Sequence, residues 1–337
     1  MENVTEVTQD EGPPINYTDS EAAVIGVVLT LIALATVFGN LLVVVAVCTT
    51  QALKTMTGYF IVSLACADIA VAILVVPWNI YQLVTNLNWP FGTVFCRLFI
   101  SFDIMFTSAS IYNLLCISID RYIAISKPFQ YQQMITQRTV IFMIAACWLM
   151  PIFISFVAIF AGWNLGELKD KHEELTASGA CVFLYSLPFS IASSMFSFFI
   201  PSCIMIVLYT KIFLIARRQV RQIQSVEVVI DELKKQQTKT MKRETKAVKT
   251  LVIIMGSFLI CWSPFFITYV ADAIIGYQIA FIPWTIISWM GWINSTVNPW
   301  LYYASNSHFK RAYTRILMCG RSNNNVIDID YSGTRQS

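Results

Sequence analysis

Long apolar stretches alternate along this chain with short polar segments, and the charged residues bunch between the stretches instead of recurring within them. Seven stretches, at about 23–48, 58–83, 97–121, 139–161, 185–210, 247–271 and 280–304, are long enough to cross a bilayer. A helix needs roughly 20 apolar residues to pass through about 30 Å of hydrocarbon. Five stretches carry an internal proline (Pro77, Pro151, Pro201, Pro264, Pro299). A membrane helix tolerates this because neighbouring helices, hydroxyls and water satisfy the freed carbonyl. Residues 305–318 then mix apolar and basic positions at helical spacing. The pattern predicts an all-α membrane protein: a seven-transmembrane helix bundle over 23–304, followed by a short amphipathic interfacial helix at 305–318.

Composition agrees. Hydrophobic residues make up 56% of the 337 and charged residues 13%, against about 25% charged in an ordinary soluble domain. A soluble surface cannot be covered with so few charges. Their placement sets an orientation. The first 21 residues hold six acids and no Lys or Arg, whereas 211–249 holds eleven basic residues. Lys310, Arg311, Arg315 and Arg321 follow the seventh stretch. Basic flanks stay cytoplasmic, which predicts a multi-pass plasma-membrane protein with residues 1–22 outside and a cytoplasmic tail at 319–337. Asn3 and Asn16 head glycosylation sequons on the outer segment, while the sequon at Asn294 lies inside span seven and matches by chance. The acidic N-terminus does not read as a cleavable leader. The net charge of +3 is a topology signal and predicts no nucleic-acid partner; the surroundings are membrane lipid.

Nine cysteines without CxxC spacing give no metal-site pattern. Only Cys96 and Cys181 fall on the outer side, where an oxidising exterior predicts a disulfide. Cys319 follows the amphipathic stretch, and palmitoylation or a plain free thiol are both open readings there.

Ionisable groups inside a span are costly, so each is a functional candidate. Asp68 in span two and Asp103 in span three stand out. Asp68 shares mid-membrane depth with Ser110, Asn294, Ser295 and Asn298, a set that would hold Na⁺ or serve as a polar hydration pocket. Asp103 lies seven residues past Cys96, roughly 10 Å below the outer mouth. Aromatic residues surround it in place of basic partners: Trp78, Tyr81, Phe265, Phe266, Tyr269, Trp289 and Trp292. An unpaired carboxylate in an aromatic cup suits a ligand ammonium. Asp272, ten residues beyond Trp262, offers a second cation contact for a di- or polyamine, or belongs to an acidic rim that steers cations inward.

These residues carry a resemblance to the rhodopsin-like (class A) G-protein-coupled receptors over nearly the whole chain. Gly39-Asn40, Leu64-Ala-Cys-Ala-Asp68, Asp120-Arg121-Tyr122, Trp148, Pro201, Tyr209, Cys261-Trp262-Ser-Pro264 and Asn298-Pro299-Trp-Leu-Tyr302 fall in order on spans one to seven. The resemblance implies a lock in which Arg121 pairs with Asp120 and with Glu244 at the foot of span six. It also implies a packing switch of Ile111, Pro201, Phe258 and Trp262, and heterotrimeric G-protein and arrestin partners. Tyr209 and Tyr302 belong to the same switch. No cofactor is implied beyond an allosteric sodium ion.

Within the family, Asp103 with Phe265, Phe266 and Trp289 resembles the amine-receptor subset. Lys211-Ile-Phe-Leu-Ile-Ala216 and Cys261-Trp-Ser-Pro-Phe-Phe266 are similar to trace amine-associated receptors, a branch with olfactory members. Asn306 and His308 depart from that branch, where Tyr and Trp are expected. Trp292 and Met241-Lys-Arg-Glu-Thr-Lys246 instead resemble the stimulatory class of dopamine receptors. The favoured expectation is a divergent trace-amine-type receptor with stimulatory coupling. The alternative is a receptor for dopamine, another hydroxylated aromatic amine, serotonin or histamine. Ser193, Ser194 and Ser197 precede Pro201 by eight, seven and four residues. They would meet ring hydroxyls beside Thr107, or bond their own helix four residues back. A transporter would show repeats and broken helices, a retinal protein a lysine in span seven, and an enzyme a convergent acid–base or nucleophile set. None of these is present in the sequence.

Overall fold

The computed structural model describes residues 17–177, 179–225 and 231–318, with the side chains at 216 and 219–251 left out of the description. Within these bounds the chain is helical. Span one is α1 (Asp19–Thr49), opened by a capping box in which Thr18 and Glu21 satisfy each other's backbone N–H groups. Span two breaks at Val75 into α2 (Met56–Leu74) and α3 (Val76–Val84), because Pro77 cannot continue the hydrogen-bond ladder. Span three is α4 (Gly92–Ser126), followed by the short α5 (Tyr131–Met134).

Span four runs through α6 (Gln137–Ile152), a π-helical turn at Phe153–Val157, and α7 (Ala158–Phe160). The helix α8 (Lys169–Ala177) sits in the connection to span five. Span five comprises α9 (Leu187–Ser194), a second π-helical turn at Met195–Phe199, and α10 (Ile200–Ser225). Spans six and seven are α11 (Asp231–Ile274) and α12 (Phe281–Ser305), each holding an internal proline. The last helix is α13 (Ser307–Leu317), which buries Phe309, Ala312 and Tyr313 and carries its basic residues elsewhere.

Among the described residues, six helices are long and apolar enough to cross a membrane. The seventh predicted span, α12, is helical throughout but less hydropathic, since Asn294, Ser295, Thr296, Asn298 and four tryptophans dilute its aliphatic residues. The polar ones face inward: Asn294, Ser295 and Asn298 are buried. Conversely, Phe142, Leu149 and Ile260 are 76%, 64% and 71% exposed, an apolar exterior that suits hydrocarbon and not water.

The centre of the bundle is α4, which packs against α2, α6 and α10. Span one docks on span seven through small and polar groups. A Cβ at Gly39 would lie 2.9 Å from Pro299, so only glycine lets the helices approach. Beside it, Asn40 Nδ2 donates to the Ser295 carbonyl at 3.0 Å, and the Thr36 and Thr296 hydroxyls meet at 2.5 Å. Polar glue of this kind holds helices together where lipid removes the hydrophobic drive.

Candidate functional site

The predicted disulfide is formed: Cys96, in the first turns of α4, joins Cys181 with Cα atoms 5.6 Å apart. It fixes the segment after Cys181 across one end of the bundle. Behind that segment lies a cavity of about 530 Å³. Its lining includes Asp103, Thr107, Ser193, Ser197, Trp262, Phe265, Phe266, Tyr269, Asp272, Trp289 and Trp292, residues from five elements brought to one space.

Asp103 is held but not neutralised. Trp292 Nε1 donates to Asp103 Oδ1 at 3.1 Å, and Thr107 Oγ1 donates to the same oxygen at 3.5 Å. Among the described residues no Lys, Arg or His forms an ion pair with it. The walls are aromatic: Phe265 stacks on Tyr269 with centroids 5.9 Å apart, and Trp289 meets Trp292 edge-on at 5.3 Å. Such a site can take a cation by charge and by ring quadrupole together.

Three residues expected around Asp103 do not line the cavity: Trp78, Ser194, and Tyr81, which meets Phe91 edge-on at 5.1 Å. Trp78 packs instead against Trp89, Phe91 and Phe95, behind the cavity wall. Ser194 is fully buried and does not line the cavity, because one residue of helix turns it about 100° away from Ser193. Ser193 faces the cavity while its hydroxyl donates to the Phe189 carbonyl four residues back, at 2.7 Å. Ser197 accepts from Ser108 Oγ at 3.2 Å. Ser108, Phe183, Tyr185 and Trp284 are lining residues that the sequence reading missed. The loop residues among them carry one legible signal, their place directly after Cys181.

Asp272 has structural employment. Its oxygens accept from the Tyr185 hydroxyl and from the Ile279 backbone N–H, each at 3.0 Å. The Tyr277 hydroxyl donates to the Tyr185 carbonyl, completing a clamp that ties the end of α11 to both neighbouring segments. Both oxygens are engaged in this clamp, and the carboxylate lines the same cavity as Asp103 without an ion pair among the described residues.

Below the cavity, Trp262 rests against span seven, where a Cβ on Gly291 would come within 2.6 Å of its ring. Phe198 stacks on Phe266 at 4.5 Å and contacts Phe258 at 5.9 Å, with Ile111 and Pro201 buried in the same layer. Asp68 is completely buried and accepts from Ser295 Oγ at 2.8 Å, Asn298 Nδ2 at 2.9 Å and Ser110 Oγ at 3.2 Å. The Oδ1 atoms of Asn294 and Asn298 are buried without a hydrogen-bond partner. This oxygen-rich donor set, with two uncommitted carbonyls, fits a small hard cation.

At the opposite end from the disulfide, Arg121 pairs with Asp120 at 2.7 Å and also bonds Thr57. Asp120 accepts from Thr57 Oγ1 and from the Tyr131 hydroxyl, both at 2.7 Å. Burial and the Asp120 charge push the Tyr131 phenol up to about 12, so it stays a donor. Glu244 is on α11, but its side chain lies outside the described residues, as do Asn3, Asn16 and Cys319. Tyr209 accepts from Ser118 Oγ at 3.2 Å, and with Tyr302 it lines a void of about 20 Å³, room for one water.

A profile described as 7 transmembrane receptor (rhodopsin family) matches residues 39–302. The chain belongs to that family. It is 40% identical over 327 residues to the human 5-hydroxytryptamine receptor 4, covering 93% of this chain and 83% of that one. It is 39% identical over 323 residues to the D(1B) dopamine receptor of Xenopus laevis, covering 88% and 70%. The D(5)-like dopamine receptor of Takifugu rubripes is 37% identical over 335 residues, covering 93% and 71%. These relatives agree with the dopamine-like features at Trp292 and 241–246 and give the trace-amine branch no support. The family membership makes the chain a multi-pass membrane receptor and not an enzyme.

Proposed function

We propose that this receptor is a G-protein-coupled receptor for a hydroxylated aromatic monoamine of the 5-hydroxytryptamine or dopamine kind. The observation that carries it is Asp103, a carboxylate without a basic partner among the described residues, in one cavity with Ser193, Ser197 and an aromatic wall. The ammonium meets Asp103 between Trp289 and Trp292, and a ring hydroxyl reaches the serines on span five. The ligand ring then presses on Phe265, Phe266 and Trp262, and movement of Trp262 out of the Gly291 notch lets span six pivot at Pro264. The pivot opens the end bearing Arg121, where a G protein of the stimulatory type and afterwards arrestin bind. When bound, Na⁺ would be held by Asp68, Ser110, Ser295 and Asn298, lowering the cost of the buried carboxylate.

In this reading residues 1–22 are extracellular and glycosylated. Helix α13 lies on the inner leaflet with Lys310, Arg311 and Arg315 toward anionic lipid, and Cys319 is palmitoylated at its end. A trace amine lacking ring hydroxyls would keep only the Asp103 contact and bind more weakly. The test is a panel of 5-hydroxytryptamine, dopamine, unhydroxylated trace amines and polyamines with a cAMP readout. Hydroxylated aromatic amines should be the most potent. Greater potency of unhydroxylated or polyamine ligands would overturn the ligand class. Loss of high-affinity agonist binding on adding a non-hydrolysable GTP analogue tests the G-protein partner.

A further inference from the structure

Span five changes its hydrogen-bond register once, directly beneath the cavity. The Ile200 N–H donates to the Met195 carbonyl, five residues back, closing the wide turn Met195–Phe199. The next bond in that register would run from residue 201 to the Phe196 carbonyl, but residue 201 is proline and has no N–H. The carbonyl is nevertheless satisfied: the Tyr112 hydroxyl, reaching across from α4, donates to Phe196 O at 3.0 Å. The Phe196 side chain is 57% exposed on the apolar exterior, where hydrocarbon supplies no water to do the same job.

The position of this bond matters for the site. Ser197 is inside the wide turn and Ser193 is one helical turn before it, and both line the cavity. One helical turn before Tyr112 on α4, Ser108 donates to Ser197 at 3.2 Å. Span three therefore grips the turn twice, by Ser108 on the cavity side and by Tyr112 on the outer side. Without the outer grip the turn can revert to regular helix, which removes the extra residue and rotates every position above it by about 100°.

We infer that Tyr112 is a positioning residue: its phenol caps the Phe196 carbonyl left free by Pro201, and so fixes the rotation at which span five offers Ser193 and Ser197 to a ligand hydroxyl. The link to ligand choice rests on the proposed amine reading; the capping itself does not. Tyr112→Phe removes one oxygen and keeps the ring. In competition binding on cell membranes, an aromatic amine with ring hydroxyls should lose about three- to tenfold in affinity, the size of one hydrogen bond. Its unhydroxylated counterpart should bind as to the wild type. Unchanged affinity for both, or equal loss for both, would overturn the positioning role.

A ligand-independent measurement accompanies it. Pro201→Ala supplies the missing N–H, so in thermal melts of the purified receptor Tyr112→Phe should cost less on that background than on the wild type; additive shifts would overturn the capping. If Tyr112→Phe alone fails to reach the surface, the double variant should recover expression, and failure of both also overturns it. Ser197→Ala separates this inference from the one beneath it. If that variant does not discriminate the two amines, the hydroxyl reading falls while the capping result stands.

Discussion

Asp103→Asn perturbs the proposed site at one point. The asparagine carbonyl can still accept from Trp292 Nε1 and Thr107 Oγ1, now at 3.1 and 3.5 Å, so the cup keeps its hydrogen bonds and loses only the net charge. Two unit charges about 4 Å apart at an effective dielectric of about 20 attract by about 4 kcal/mol. Desolvation of the ligand ammonium offsets part of this, and a charge-assisted hydrogen bond is worth about 1.5–3 kcal/mol net. At 1.4 kcal/mol per factor of ten, the substitution should weaken amine binding by roughly 10- to 150-fold. The assay is radioligand competition on membranes with matched surface expression, comparing an amine with an uncharged isostere of the same shape. The isostere, having no charge to lose, should bind both receptors alike. An amine affinity within about threefold of wild type would refute the reasoning, because the ammonium would then have to find its counter-charge elsewhere, at Asp272, which lines the same cavity.

Other positions give independent tests. Gly291→Ala places a methyl 2.6 Å from the Trp262 ring, and overpacking of this kind costs about 1–3 kcal/mol; an unchanged melting temperature in the purified receptor would show that Trp262 does not rest there. Asp272→Ala leaves the Tyr185 hydroxyl and the Ile279 N–H without their acceptor, so ligand dissociation should quicken for mono- and polyamines alike. A selective loss for polyamines would instead make Asp272 a second cation contact. His172 in α8 is buried with Nδ1 unpartnered, and burial together with Arg97 holds the imidazole below its ordinary value of 6.5. The unfolded state therefore binds the proton more tightly, and stability should fall as pH drops below about 6.5. His172→Gln should flatten that part of the melting profile, and identical profiles would remove His172 as its source.

The membrane bundle was legible from the order of apolar stretches, because spanning hydrocarbon demands a fixed length and an apolar surface whatever the neighbours are. Helix ends were less legible. The α4 and α11 helices run beyond the predicted spans to Ser126 and back to Asp231, since helical geometry continues past the lipid where nothing stops it. The inward face of α12 was the reverse case, a span whose polar residues belong to the interior of the bundle.

Asp103, Asp68 and the disulfide could be picked out from the chain alone, because a charge or a reactive thiol at a given depth carries a cost or a chemistry of its own. Which neutral side chains share a space with them could not. Trp78 and Trp292 look equally eligible in the sequence, yet only Trp292 reaches Asp103, while Trp78 meets Trp89, Phe91 and Phe95. Ser193 and Ser194 are adjacent, and the helix's rotation of about 100° per residue sends one to the cavity and buries the other. The sequence by itself determined the number of crossings, the isolated acids and the family. The tertiary structure decided the clamp at Asp272, the pairing of Ser108 with Ser197 and the capping by Tyr112, because these depend on helix rotation, set by packing between segments far apart in the chain.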